Sequence, residues 1–252
     1  MSEPTRGLAV LGDGDPAAAI RSAATAAGAR RLGARLVDRS AADAVVAVGD
    51  AALREAMRAA ASDARPAPVL PVGGGRHAVA PDRATERVAA VVDGLDDASD
   101  AVEGFSRVGH PLLAVDGAGD GERRVAVADV AFVTAAPARI SEFEIALDDG
   151  ESASVRADGA VVATPFGSDG YAAAAGGPVV SPGGGLAVVP VSPFTTRPDT
   201  WVASGGVRVT VEREEEPVAL VVDGTRRGTV EPHRAVAIEV AARVDLLAPT
   251  AE

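Results

Sequence analysis

The chain has 252 residues, 36 acidic against 24 basic, and a net charge of −12. It has no cysteine, which excludes disulfides, thiolate catalysis and sulfur-ligated metal sites. The acidity argues against a general nucleic-acid binder, which carries a basic stripe.

No lysine occurs, so the basic residues are all arginine. Together with the abundance of Ala, Val and Gly, this is the composition of a salt-adapted cytoplasmic protein, in which dense carboxylates keep molecules hydrated and apart. The opening MSEPTRGLAVLGDGDP lacks a charged region followed by a long apolar run, so no secretory signal is expected. No apolar run reaches the roughly 18 residues of a membrane span, and no membrane partner is expected.

The first part alternates short apolar runs with alanine-rich stretches. GLAVLG (7–12) reads as a strand, and Asp15 with Pro16 opens a helix that stops at Gly28. ADAVVAVG (42–49) is a second strand, DAALREAMRAAA (50–61) a helix, and APVLPV (67–72) a third strand running into GGGRH (73–77). Pro81 and Asp82 open another helix, to about Val92. This alternation predicts a parallel sheet covered by helices over residues 1–112.

Residues 113–252 read differently. RVAVADVAFV, ISEFEIAL, SASVRADG, AVVAT, LAVVPV, VRVTVERE, VALVVDG and AVAIEV are strand-like, with turn signals at Asp149-Gly150 and Asp223-Gly224. Only YAAAAGG offers a helical turn. The expected fold class is therefore α/β plus all-β: a parallel-sheet, nucleotide-binding-like domain followed by a β-rich domain of β-sandwich type. His110 and His233 stand alone beside prolines and read as surface residues.

The most specific stretch is RADGAVVATPFGSDGYAAAAGGPVVSP (156–182), which resembles the signature of the NAD kinase family. Thr164, Pro165, Gly167, Ser168, Tyr171, Gly176, Gly177 and Pro178 match it, with Arg156, Asp158 and Gly159 upstream. AVADVAF (126–132) resembles the family's Asn-Glu/Asp motif with Ala128 at the asparagine position. The family's Gly-Gly-Asp-Gly motif has Val48-Gly49-Asp50-Ala51 as its counterpart. Within the signature, Phe166, Asp169 and Gly170 depart from the pattern.

The resemblance implies transfer of a phosphoryl group from ATP or polyphosphate, with Mg²⁺ on the donor nucleotide, to the adenosine 2′-hydroxyl of NAD. Such chemistry needs charge neutralisation, close backbone approach and a carboxylate aligned on the attacking hydroxyl. Asp50 is the candidate carboxylate, or else an ordinary helix N-cap. Gly49, Ala51, Gly74, Gly75 and Arg76 are the candidates for phosphate contact, although Gly73–His77 also reads as a plain turn. Asp129 and Asp158 suit ribose hydroxyls because carboxylates only accept hydrogen bonds. Arg156, Ser168, Asp169, Gly170, Tyr171 and Ala174 complete the implied NAD-binding set. Asp169 also reads as a cap of YAAAAGG, Arg156 as one half of an ion pair, and Asp223 as a hairpin-turn residue. No metal-ligating residues are expected, and a homo-oligomer is. The alternative reading is a relative that keeps NAD(P) binding and has lost transfer. A lipid kinase of similar fold fits less well, since no lipid-facing apolar helix is visible.

Overall fold

The computed structural model describes residues 6–32, 42–61, 63, 66–73, 75, 77–94, 101, 102, 104–117, 121–135, 140–214 and 216–250. They divide into two compact units, one of residues 1–110 with 243–252 and one of residues 111–242.

In the first unit the apolar runs become strands and the alanine-rich stretches become helices. The order is β1 (Gly7–Leu11), α1 (Gly14–Ala26), β2 (Arg30–Leu32), β3 (Ala44–Val48), α2 (Asp50–Ala60), β4 (Val69–Val72) and α3 (Pro81–Gly94). The sheet runs β2-β1-β3-β4, every pair parallel. The chain then forms β5 (Ala101–Val102), paired antiparallel with the start of β6 (Phe105–Asp116). The chain's last long strand lies beyond β4, with Leu246 in parallel register with Val69.

Alternate strand residues, Leu8, Val10, Ala44, Val46, Leu70 and Val72, form a buried core with Ile20 of α1 and Val88 and Val91 of α3. The intervening strand residues face the other way, where α2 buries Leu53, Ala56 and Met57. Helices on both faces are what a parallel sheet requires.

The helix expected from Asp15 begins two residues earlier. Gly12 and Gly14 both have positive φ, and the residue preceding the helix is Asp13. Pro16 falls in the first turn, where its missing N–H has no intrahelical partner to lose. Gly28, at φ +82, ends the helix as expected.

The second unit is a sandwich of two antiparallel sheets. After β6 come β7 (Arg124–Ala126), β8 (Asp129–Thr134), β9 (Ser141–Leu147), β10 (Ser152–Ala157) and β11 (Gly159–Ala163). Two single helical turns follow, α4 (Pro165–Ser168) and α5 (Tyr171–Ala174). The remainder is β12 (Leu186–Val191), β13 (Trp201–Ala203), β14 (Val207–Arg213), β15 (Val218–Val222), β16 (Thr225–Thr229) and β17 (Val236–Pro249). One sheet runs β13-β12-β11-β8-β15-β16; the other places β10, β9, β14 and β17 in line, and β7 pairs with β6.

Period-two alternation builds the core between the sheets. Val130, Phe132, Val162, Val188 and Leu220 from the first meet Phe143, Ile145, Val209 and Ile238 from the second. The outer face of the six-stranded sheet presents Ala131, Val161, Ala163, Ala187 and Val189, which α5 covers through Ala172.

The strand expected over 124–133 is two strands. Asp223 breaks it by accepting the N–H groups of Val127 and Ala128, which would otherwise continue a ladder. His110 is 1% exposed, against its expected surface position, because it lies inside β6 rather than in a loop. Among the described residues no helix is long and apolar enough to cross a membrane.

Candidate functional site

Each unit carries candidate positions of its own. In the first, topology selects the place. With β2 and β3 on opposite sides of β1, the connections leave in opposite directions. The C-terminal ends of β1 and β3 are therefore the switch point of the strand order, the usual ligand position in open parallel sheets.

Three glycines occupy that edge: Gly12 after β1, Gly49 after β3 and Gly73 after β4. A Cβ on Gly12 would strike the Val48 carbonyl, and one on Gly73 would stand 4.0 Å from the Gly49 Cα. Gly49 has φ +86 and ψ 160, and its N–H donates to the Val72 carbonyl at 2.8 Å. Among the described residues of the motif counterpart, only this one adopts positive φ. Val48 is a strand residue and Ala51 a helical one, so the two positions where the family glycine is missing do not demand it for conformation.

Asp50 is exposed at the first residue of α2, where a carboxylate favours the helix dipole. The expected N-cap role falls to Gly49 instead, and no side chain caps the helix. Arg54 and Arg58 follow at successive turns. With Ala51, Glu55 and Ala59 they line a surface groove of about 480 Å³. Nothing in the sequence patterns singled out those two arginines; only their i, i+4 relation to Asp50 would have. Gly75 is exposed and accepts from the Ala78 N–H at 3.0 Å, forming a turn. Gly74 and Arg76 lie outside the described residues.

In the second unit, residues 164–180 fold over the outer face of the six-stranded sheet. Thr164, fully buried, donates its hydroxyl to the carbonyls of Val127 (2.8 Å) and Ala128 (3.0 Å). Gly167 packs so closely that a Cβ would run into the Ala128 carbonyl. Ser168, also fully buried, donates to the Pro165 carbonyl at 2.7 Å and accepts from the Val180 N–H at 2.9 Å. These polar ties hold the segment against the start of β8, where Asp129 stands.

Asp223 braces the same place from the other side. At φ +48 it tolerates the left-handed turn before Gly224, and its carboxylate accepts from Val127 (3.0 Å), Ala128 (2.7 Å) and Asp129 (3.4 Å). The turn reading of Asp223 holds, and its side chain secures the 127–129 loop as well.

Tyr171 opens α5 and is 40% exposed. Its phenol is held above the ordinary tyrosine value by partial burial first, then by the carboxylates of Asp158 and Asp129. Both acids therefore lie within electrostatic reach of the one tyrosine. Asp158 sits between β10 and β11, its N–H donating to Val191 and its carbonyl accepting from Thr134. Gly170 and Ala174 are exposed beside Tyr171, joined by an N–H to carbonyl bond of 3.0 Å. Asp169 closes α4, and the N-cap position of α5 is taken by Gly170, one residue after Asp169.

Arg156 does not form the expected ion pair among the described residues. Its guanidinium lies over the ring of Phe194, 5.6 Å from the centroid. Phe194 escaped the sequence patterns because a lone phenylalanine in a proline-flanked loop carries no periodic signal.

Two carboxylates within electrostatic reach of an exposed phenol, itself on a segment latched by buried hydroxyls, offer polar groups suited to a sugar diol and a planar base. Glycines at the C-terminal edge of a parallel sheet make a place suited to phosphate. The class of protein that both chemistries suit is a nucleotide-binding one.

Comparison with known proteins narrows that class. Residues 127–248 match the family model for the ATP-NAD kinase C-terminal domain. An NAD kinase of Methanosarcina acetivorans is 32% identical over 151 residues, covering 58% of this chain and 54% of that protein. One of Pyrococcus furiosus is 41% identical over 112 residues, covering 42% and 39%. The chain spans about half the length of the curated relatives it matches. The fold is that of yeast NADH kinase complexed with NADH (TM-score 0.72, 14% identity, 98% of this chain and 84% of that one). It is also that of an Archaeoglobus fulgidus NAD kinase in complex with ATP (TM-score 0.67, 22% identity, 96% and 93%). Residues 127–248 are thus similar to the C-terminal domain of the NAD kinase family.

Proposed function

We propose that the protein is an NAD kinase, forming NADP by transfer of the ATP γ-phosphoryl group to the adenosine 2′-hydroxyl of NAD. The observation that carries this reading is that Asp129, at the start of β8, and Asp158, at the opposite end of the β8–β11 pair, both act electrostatically on the phenol of Tyr171, on the segment that covers that sheet. The two carboxylates accept hydrogen bonds from ribose hydroxyls, and the neutral phenol both donates and accepts. Ser168 and Thr164 act through the segment they latch, while Gly170 and Ala174 leave room beside the ring. Asp169 is half-buried at the same junction, in position for a polar contact.

Asp50 is the carboxylate assigned to the attacking hydroxyl. The 2′-oxygen forms its bond to the γ-phosphorus, the bond from that phosphorus to the β–γ bridging oxygen breaks, ADP leaves, and the hydroxyl proton passes to the carboxylate. Mg²⁺ carried by the donor nucleotide would supply neutralisation of the phosphate charge. Gly49 and Gly75 give backbone approach at the strand ends, and Arg54 and Arg58 supply positive charge along α2. ATP is the donor we assign, with polyphosphate as the competing one.

The second reading, an NAD(P)-binding relative without transfer, is favoured by Ala51. Its exposed methyl group replaces a motif glycine at the first turn of α2. One assay separates the two readings. Purified protein with NAD, ATP and Mg²⁺, followed for NADP across a range of salt, is expected to turn over, and Asp50→Asn to slow it at least about tenfold. NAD binding without NADP from either donor would overturn the kinase reading and leave the binding one.

A further inference from the structure

Phe194 is 71% exposed, whereas Phe105, Phe132 and Phe143 are fully buried. An exposed phenylalanine is unremarkable when it is loose. This one is fixed from three directions. The loop leaves β12 through Ser192, a non-glycine residue at φ +48, a conformation that costs energy unless the surroundings impose it. Pro193 follows, restricting the backbone before the ring. The Phe194 N–H then donates to the Arg156 carbonyl at 2.7 Å, and the Arg156 guanidinium rests over the ring at 5.6 Å.

The anchoring strand, β10, ends at Ala157, one residue after Arg156 and one before Asp158. The N–H of Asp158 is bonded to Val191, on the strand that leads to Phe194. A held aromatic ring is therefore built close along the chain to Asp158, one of the two carboxylates that act on Tyr171. A cation–π partner on one side, with most of the ring still exposed, is the arrangement of a stacking platform.

We propose that Phe194 is a specificity-determining residue that stacks on a planar heteroaromatic ring of the bound dinucleotide, and that Arg156 is a positioning residue acting through it. The inference rests on the NAD site proposed above and refines it. The guanidinium orients the phenylalanine and does not pair with the ligand. Adenine and the nicotinamide ring share the chemistry needed, and fragments distinguish them.

The test is isothermal titration of NAD into the full chain and into Phe194→Ala, Phe194→Trp, Arg156→Ala and the double variant. AMP and nicotinamide mononucleotide are titrated in parallel. Phe194→Ala is expected to weaken NAD about fivefold or more, the scale of base–aromatic stacking, and Phe194→Trp to retain affinity within about twofold. Arg156→Ala is expected to weaken NAD less than Phe194→Ala does. The double variant is expected to match Phe194→Ala, because a residue acting through the ring has no effect without it. The fragment whose affinity also falls identifies the ring. Melting is expected to be unchanged, since both side chains are exposed.

If Phe194→Ala binds NAD as the parent does while Tyr171→Ala does not, the stacking role is overturned and the site stands. Additive losses in the double variant overturn the positioning role of Arg156. Unchanged NAD affinity with a change in oligomeric state shows the ring to be an interface residue and overturns the proposal. A parent chain that binds no NAD overturns the site itself, and this inference with it.

Discussion

Tyr171 is the residue on which the site's electrostatics can be read directly. It is the only tyrosine in the chain, and without lysine or cysteine no other side chain titrates near pH 10. Tyrosinate absorbance near 295 nm therefore reports this phenol alone. Partial burial and the charges of Asp158 and Asp129 all raise its pKa, so the midpoint is expected above 10. Asp158→Asn removes one of the two charges and should move it back toward 10. A raised folded value favours the neutral phenol in the native state. Its contribution to stability is thus complete below pH 10 and lost as pH rises toward the folded value. Tyr171→Phe should flatten that alkaline decline. A wild-type midpoint at or below 10 would contradict the placement of the two carboxylates. Asp223 tests the frame behind them. Its carboxylate accepts three backbone N–H groups, so Asp223→Ala leaves partly buried donors unpaired at a cost of about 1–3 kcal/mol. Asp223→Asn keeps an acceptor and tolerates positive φ, so urea unfolding should show much of the loss restored.

At the scale of elements, two glycines carry different demands. Gly49 sits at φ +86 with open space where a Cβ would be, so Gly49→Ala costs only backbone strain, about 1–3 kcal/mol. Gly167 has ordinary backbone geometry, but its Cβ would meet the Ala128 carbonyl, so α4 must lift or β8 must shift. Overpacking of this kind costs about 1–3 kcal/mol as well. The two are distinguished by where the disturbance appears. Hydrogen exchange should accelerate over 127–134 in Gly167→Ala, with weakened NAD binding, and stay unchanged there in Gly49→Ala. Faster exchange over 127–134 in Gly49→Ala would contradict the separation of the two roles. Periodicity and turn residues revealed most of these elements, because alternation in VRVTVERE and SEFEIAL is imposed by a buried core face. They did not reveal α4, a single turn that hides in a glycine-containing loop, nor β6 and β16, whose polar or proline-containing sequences are carried by neighbours. Within the proposed site, Tyr171 and Asp158 are legible because they stand in a motif. Phe194, Arg54 and Arg58 are not, since each gains meaning only from a through-space partner or a groove.

For the whole molecule the governing quantity is charge. The −12 was legible from composition alone, but how it trades against ion pairing depends on where the arginines fall. The pairs between described residues, Arg123–Asp116 (3.5 Å), Arg208–Asp148 (3.6 Å) and Arg234–Glu231 (3.1 Å) among them, lie on the surface, with side chains about half exposed. Such pairs contribute about 0–1 kcal/mol each and weaken with salt. Repulsion among the excess carboxylates acts against the compact state over longer distances and is also screened. The Debye length falls from about 10 Å at 0.1 M to about 3 Å at 1 M, which removes the long-range repulsion before the contact pairs. Added KCl should therefore raise the melting temperature. Salt also strengthens apolar burial, so the origin of the rise needs a control in which the charge is removed. Lowering the pH toward the isoelectric point of about 4.7 does this, leaving the apolar surface unchanged. If repulsion is the cause, the gain in melting temperature between 0.1 M and 1 M KCl is large at pH 7.5 and shrinks near pH 5. A gain of the same size at both pH values would assign it to apolar burial.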